Sequence, residues 1–182
     1  MTNEKTLVAQ LQDAKQKDSA FRELISLYKE RLYWHIRKIV ISHDDADDVL
    51  QNTFIKVFTS IHKFNQDSKL YSWMYRIATN EAITFLNKKA KERKVDITEI
   101  QSELANDLTN DNHFTGDEIQ MILQKAIVQL PQKQQLVFNM KYFDEMKYQE
   151  ISEILETSVG SLKASYHHAV KKIEQYIKNI YN

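Results

Sequence analysis

The sequence predicts an all-α protein built as two small helical domains. Only 2 Gly and 1 Pro occur among 182 residues, which leaves almost no punctuation for hairpins, barrels or glycine-rich phosphate loops. Apolar residues recur at three- and four-residue steps on both sides of an acidic stretch, the spacing that lines one face of a helix. With 42% hydrophobic and 27% charged residues, the chain can bury a core, and disorder of the whole chain is excluded.

Phe21, Leu24, Tyr28, Leu32, Ile36 and Ile39 form the stripe of a first long helix. Ser42, with Asp45 three residues on, offers a capping box for a second, whose stripe is Leu50, Phe54, Val57 or Phe58, and Ile61. A third, opened by Asp67 or Ser68, carries Trp73, Ile77 and Phe85 and runs into the basic block Asn87 to Lys94. These helices place a first domain at residues 1–94. The acidic stretch is weakly periodic, rich in Thr and Asn, and holds Gly116, so it reads as a linker at 95–118. A second domain at 119–182 opens with Ile119, Ile122, Ala126, Ile127 and Leu130, a helix stopped at Pro131. Gln135 to Phe143 suits another helix and Tyr148 to Leu155 a short one. After a break at Glu156-Thr157, Ser158 is a good N-cap for a long last helix with Leu162, Tyr166, Ala169, Ile173 and Ile177 on one side. Short helix, turn and long helix make the outline of a helix-turn-helix.

The net charge of zero is a sum of unlike parts. Residues 1–50 are net −1, 51–94 net +6, 95–120 net −7 and 121–182 net +2. The basic blocks can attract a polyanion, so a neutral total leaves nucleic acid open as a partner. The absence of cysteine excludes a disulfide frame, a thiol nucleophile and a zinc-thiolate site, in keeping with a reducing compartment. No signal-peptide run opens the chain, and no stretch approaches the roughly 18 apolar residues of a membrane span. A soluble, cytoplasmic protein without membrane insertion is expected. The six histidines show no HExxH spacing, and neither a Ser/His/Asp nor a paired-carboxylate arrangement stands out. No enzyme activity, cofactor or metal is expected. Asp44, Asp45, Asp47 and Asp48 lack the glycine of an EF-hand loop, and carboxylates in a first turn simply favour the helix dipole. Asp47 and Asp48 lie on successive faces, which leaves at least one of them for a basic partner.

Stepping 100° per residue from Leu162 puts Lys163, Ala164, His167, His168 and Lys171 opposite the apolar side of the last helix. Such a face can enter a major groove, with side chains at base edges and cations on phosphates; it is equally the solvated face of a bundle helix. Between Phe64 and Lys94, Phe64, Tyr71, Trp73 and Tyr75 alternate with Lys69, Arg76, Lys88 and Lys89, and stacking surfaces beside cations suit single-stranded nucleic acid. Trp73 and Ile77, four apart, read as core. Phe64, Asn65 and Gln66, between two helices, read as exposed.

Two blocks of residues carry a resemblance. Asp44-Asp45-Ala46-Asp47-Asp48-Val49-Leu50-Gln51-Asn52-Thr53-Phe54 followed by Ser72-Trp73-Met74-Tyr75-Arg76-Ile77-Ala78-Thr79-Asn80 looks like region two of a bacterial RNA polymerase sigma factor. Leu130-Pro131 with Gln134, Val137-Phe138, Tyr148-Gln149-Glu150-Ile151 and Ser158-Val159-Gly160-Ser161-Leu162-Lys163 looks like region four. In order and separation they resemble the extracytoplasmic-function (ECF) group. The resemblance implies a specificity subunit that binds core polymerase, directs it to promoters and helps open the duplex, with no chemistry of its own. It implies docking of Asp47, Asp48, Gln51, Asn52 and Ile55 on the clamp helices of the β′ subunit. It also implies that Phe64, Asn65, Gln66, Lys69, Tyr71, Arg76, Asn80, Lys88 and Lys89 hold the non-template strand of the minus-ten element, where an unpaired base enters a protein pocket. The helix from Ser158 would lie in the major groove of the minus-thirty-five element, with Ser158, Ser161, Lys163, Ala164, His167, His168 and Lys171 toward DNA. Its other surface would meet the flap of the β subunit. An anti-sigma factor is the implied regulator.

The chain departs from the pattern of the group at named places. Lys163-Ala164-Ser165 and His168 stand where the family usually reads Lys-Ser-Arg and a further Arg. Arginine is the strongest reader of guanine edges, so contacts there are expected to be weaker, different or pH-sensitive. Thr84 and Asn87 stand where an acid and an arginine are usual. The acidic linker could lie on basic surfaces of polymerase or fold back over Lys88 to Lys94. The rival readings are a stand-alone helix-turn-helix regulator of duplex DNA and an all-helical adaptor whose aromatics are only core.

Overall fold

A computed structural model of the protein describes residues 3–106 and 118–182, and the part of the expected linker at 107–117, Gly116 included, lies outside the described residues. The described residues form nine α-helices and no strand. Helix α1 (Glu4–Gln12) is followed by α2 (Lys17–Val40), α3 (His43–Ser60) and, after a 3-10 turn at Ile61–Lys63, α4 (Leu70–Arg93). Then come α5 (Ile97–Asn106), α6 (Glu118–Val128), α7 (Gln132–Phe138), a π turn (Asn139–Phe143), α8 (Tyr148–Leu155) and α9 (Val159–Tyr181).

Local chemistry sets most of these limits. Ser42 caps α3 by accepting the Asp45 amide hydrogen at 3.3 Å, but the box stays half made because the Asp45 carboxylate turns to Lys89 instead. Lys94 ends α4 in the left-handed region at φ 58, and the Val95 amide closes back on the Ala90 carbonyl at 3.1 Å, a Schellman-type stop. Neither Asp67 nor Ser68 opens α4 as expected; its N-cap is Lys69, which makes no side-chain cap. The first free amide, Leu70 N–H, is met by the Glu4 carboxylate of α1 at 3.1 Å. A distant acid therefore supplies both the hydrogen bond and the dipole partner that a local cap gives.

Helices α1 to α4 close around Leu24, Leu32, Ile36, Leu50, Val57, Met74, Ala78 and Leu86, all buried. A smaller core joins α6, α7 and α9 through Ile127, Leu130, Phe138, Ala169 and Ile173. The large cluster does not stop at the first four helices: Val137, Met140, Met146, Ile151, Ile154 and Leu162 belong to it. The two helical units are thus pressed together along a shared apolar seam.

The segment expected to be an irregular linker contains α5. Gln101 of α5 donates to the Ile39 carbonyl at 2.8 Å and accepts from Gln135 at 3.2 Å. Ile41, Ala105 and Val128 bury together beside it. This packing holds Ile41 at φ 68, a costly conformation for a β-branched residue. Of the carboxylates in this stretch, Glu103 reaches Arg93 at 2.7 Å.

Candidate polymerase and nucleic-acid interfaces

On α3, Asp44, Asp47, Asp48, Gln51, Asn52 and Ile55 are exposed, while Ala46, Val49, Leu50, Thr53, Phe54 and Val57 face the core. A helix with this division presents one polar face, here broken by Ile55 at 55% exposure. Asp48, Gln51 and Asn52 form one wall of a shallow groove whose other wall is Thr84, Phe85, Lys88 and Glu92 of α4. The acid and amide row of α3 and the basic end of α4 are therefore one continuous surface.

The predicted single-strand surface is divided. Asn65, Gln66, Lys69, Asn80 and Lys88 are exposed. Phe64, expected to be exposed, is 4% exposed and packs on Trp73 at 5.2 Å between ring centroids. Its turn is fastened by the Gln12 amide, which donates to the Ile61 and Phe64 carbonyls at 3.0 and 2.8 Å. Tyr75 is buried too. Lys89 is occupied by Asp45. Arg76 is half-buried, donating to the Glu153 carbonyl and pairing with Glu156 at 3.1 Å, and Lys69 lies 3.4 Å from Glu150.

Helix α9 is arranged as its sequence predicts. Ser158 accepts the Ser161 amide hydrogen at 3.3 Å, Leu162, Ala169 and Ile173 are buried, and Lys163, Ala164, His167, His168 and Lys171 are exposed. Gly160 lies on the same side, with open space where a Cβ would stand. Ser161 accepts a hydrogen bond from Lys133 of α7 at 3.1 Å.

Residues 24–92 match the family model for sigma-70 region 2 and residues 120–173 the model for sigma-70, region 4. The ECF RNA polymerase sigma factor SigW of Bacillus subtilis is 27% identical, covering 88% of this chain and 90% of that protein. The chain belongs to the ECF RNA polymerase sigma factors. The ECF sigma-E factors of Haemophilus influenzae and Escherichia coli K12 are each 27% identical over 96% of this chain. Among solved structures, CnrH in complex with the cytosolic domain of CnrY superposes with a TM-score of 0.71 at 20% identity, over 97% of both chains. The sigma factor RpoE of Bartonella quintana, solved with the anti-sigma factor NepR, gives 0.66 at 18% identity, over 87% of this chain and 96% of that one. These two likenesses show the fold.

In this sigma factor the regions meet at a junction that the sequence did not announce. His35, 1% exposed, puts Nδ1 2.9 Å from the Asp144 carboxylate, which is 7% exposed, and Nε2 2.8 Å from the Thr79 hydroxyl. Thr79 donates its own hydrogen to the Tyr75 carbonyl at 2.7 Å, so its oxygen and the Asp144 carboxylate both face the His35 ring as acceptors. Lys38 closes on the other Asp144 oxygen at 2.6 Å. Burial pushes the Asp144 carboxyl up, but His35 and then Lys38 outweigh it and hold the group below its ordinary value. Burial above all, and then the same carboxylate, push Tyr75 up to about 12.

A depressed carboxyl stabilises the fold fully above its unfolded value, near pH 4, and loses that contribution as pH falls through the lower folded value. The difference in melting temperature between the wild type and Asp144→Asn is therefore expected to hold steady from pH 7 to about 5 and to shrink below about 4. A difference that stays constant down to about pH 2.5, in thermal unfolding followed by circular dichroism, would contradict it.

Proposed function

We propose that this sigma factor docks on the β′ clamp helices of core RNA polymerase through the face of α3, with Asp47, Asp48, Gln51, Asn52 and Ile55 as contacts. The observation that carries the reading is Ile55, a large apolar side chain left 55% exposed in a row of carboxylates and amides. An exposed apolar residue rimmed by polar ones marks an interaction face. Residues 1–94 act as the region-two unit, and Asn65, Gln66, Asn80 and Lys88 are its first contacts with the non-template strand of the minus-ten element. Phe64, Lys69, Tyr71, Arg76 and Lys89 join them after their present partners are exchanged. Residues 119–182 act as the region-four unit, joined to the first by 95–118. Its α9 enters the major groove of the minus-thirty-five element, with Ser158, Ser161, Lys163, Ala164, His167, His168 and Lys171 toward DNA, and its opposite surface meets the β flap. The protein carries out no reaction of its own and works in the cytoplasm. An anti-sigma factor holds it in reserve, and an apolar groove between α2 and α6, lined by Trp34, Ile41, Leu123, Tyr142 and Phe143 with Lys38 at its edge, suits the apolar face of a partner helix.

The test mixes the purified protein with sigma-free core polymerase and follows co-elution and specific transcript starts. Co-elution with defined starts is expected, as is loss of both in Asp48→Lys combined with Ile55→Ala. Each of Lys163→Ala and Lys171→Ala is expected to lower the salt slope of promoter binding by about one. Promoter-specific binding without polymerase, together with failure to co-elute, would overturn the reading in favour of a stand-alone regulator.

A further inference from the structure

We infer that α1 is the positioning element of the strand-reading loop between Phe64 and Leu70. Gln12 and Glu4, which are not among the minus-ten contacts named above, hold the two ends of that loop and set how selectively Asn65 and Gln66 read an unpaired base. The inference rests on the minus-ten reading of the loop given above.

Helix α1 is anchored in the first unit by Leu7, Val8 and Leu11, all buried. Its first and last residues, Glu4 and Gln12, are exposed, yet their side chains make hydrogen bonds across 49 to 66 positions of sequence. At the end of the helix the Gln12 amide donates to the Ile61 carbonyl at 3.0 Å and to the Phe64 carbonyl at 2.8 Å. At its start the Glu4 carboxylate takes Leu70 N–H at 3.1 Å. The side chains of Phe64 and Leu70 are themselves buried. Glu4 and Gln12 are separated by about 12 Å of helix axis, so a rigid helix, and not the loop, fixes the spacing of the loop's ends.

What lies between these two pins has little structure of its own. Among the described residues, no backbone hydrogen bond engages the amides of residues 65–68. Gln66 sits at φ 64, an uncommon conformation for a residue with a Cβ. A free loop of this kind samples many shapes, and a strand that needs one of them bears the loss of freedom on binding. With both ends held, much of that loss precedes the strand. Asn65 and Gln66 are exposed, and each amide offers a donor beside an acceptor, the chemistry that reads a base edge. Discrimination between bases then depends on where those amides are aimed, which the supporting contacts decide. Both pins act on backbone groups, so the side chains of Phe64 and Lys69 can still exchange their partners.

The test uses the full chain bound to core polymerase and a fluorescent non-template oligonucleotide from a promoter whose start the transcription test defines, with each minus-ten position changed in turn to the other three bases. Gln12→Ala and Glu4→Ala are each expected to weaken binding about threefold, and together about tenfold. The preference for the best base at the position the loop reads is expected to shrink by a similar factor. The salt slope is expected to stay within about half a unit of the wild type, because no phosphate contact is lost, whereas Lys88→Ala lowers it by about one and keeps the base preference. The sign for Glu4→Ala is diagnostic: removing an acid beside a polyanion tightens binding through charge alone, and lost positioning weakens it. Glu4→Gln keeps an oxygen able to accept Leu70 N–H and is expected to restore most of the preference. Co-elution with polymerase and helix content by circular dichroism are expected to be unchanged, since both residues are exposed. Tighter binding by Glu4→Ala, or a double variant that keeps the full base preference, would overturn the positioning role while Asn65→Ala with Gln66→Ala still abolishes that preference. If the loop variant keeps the preference at every position, the minus-ten reading of the loop falls and the role of α1 falls with it.

Discussion

Met74→Ala is expected to cost about 2–5 kcal/mol, the range for emptying a fully buried site that cannot collapse. Met74 has no exposed surface and lies in the large apolar cluster shared by the first four helices. Its neighbours on α4, Tyr75 and Ala78, are buried as well, so no flexible surface side chain is at hand to refill the space. Against a typical total of about 5–15 kcal/mol, this loss is a large fraction. Urea unfolding followed by circular dichroism measures it, and a loss below about 1 kcal/mol would mean that the core repacks around the gap.

His35→Leu is expected to cost about 3 kcal/mol and to split a single unfolding transition into two. Removing one partner of a buried ionic pair leaves the other uncompensated. Here Asp144 would keep Lys38 alone, and the Thr79 oxygen would lose its donor. The loss falls on the seam between the two units, so each is expected to melt at its own temperature in calorimetry. Adding Asp144→Leu to His35→Leu should recover much of the stability, because a buried pair replaced by apolar side chains is often neutral. A double variant as unstable as the single would show that the site needs polar groups for reasons other than their pairing.

The long helices were legible in the sequence because each carries its own evidence. The stripe from Leu24 to Ile39, the Ser42 and Ser158 caps and the break at Glu156 lie within a few residues of what they determine. The exposed face of α9 followed from the same periodicity. What escaped was set by partners far along the chain. Helix α4 is capped by an acid 66 positions earlier, and Lys89 is engaged by Asp45, 44 positions earlier. Phe64 looked exposed because it joins two helices, yet the Gln12 amide ties that turn inward. Helix α5 does carry an apolar stripe, Ile97, Ile100, Leu104 and Ala105, but it is short and set in an acidic stretch that reads as linker, and part of its packing is polar: Gln101 is buried and bonded to two other elements. Periodicity registers apolar residues, and it is blind to a buried amide that is satisfied.

The bond between His35 and Asp144 spans 109 positions, and this separation has a consequence during synthesis. The four helices of the first unit end at Arg93, about 50 residues before Asp144 leaves the ribosome, which at usual elongation rates is on the order of 3–10 s. Helical bundles with mostly local contacts fold in microseconds to milliseconds. For those seconds the nascent first unit stands complete with nothing over α4, and the protein is at its most receptive to partners before it has been fully made.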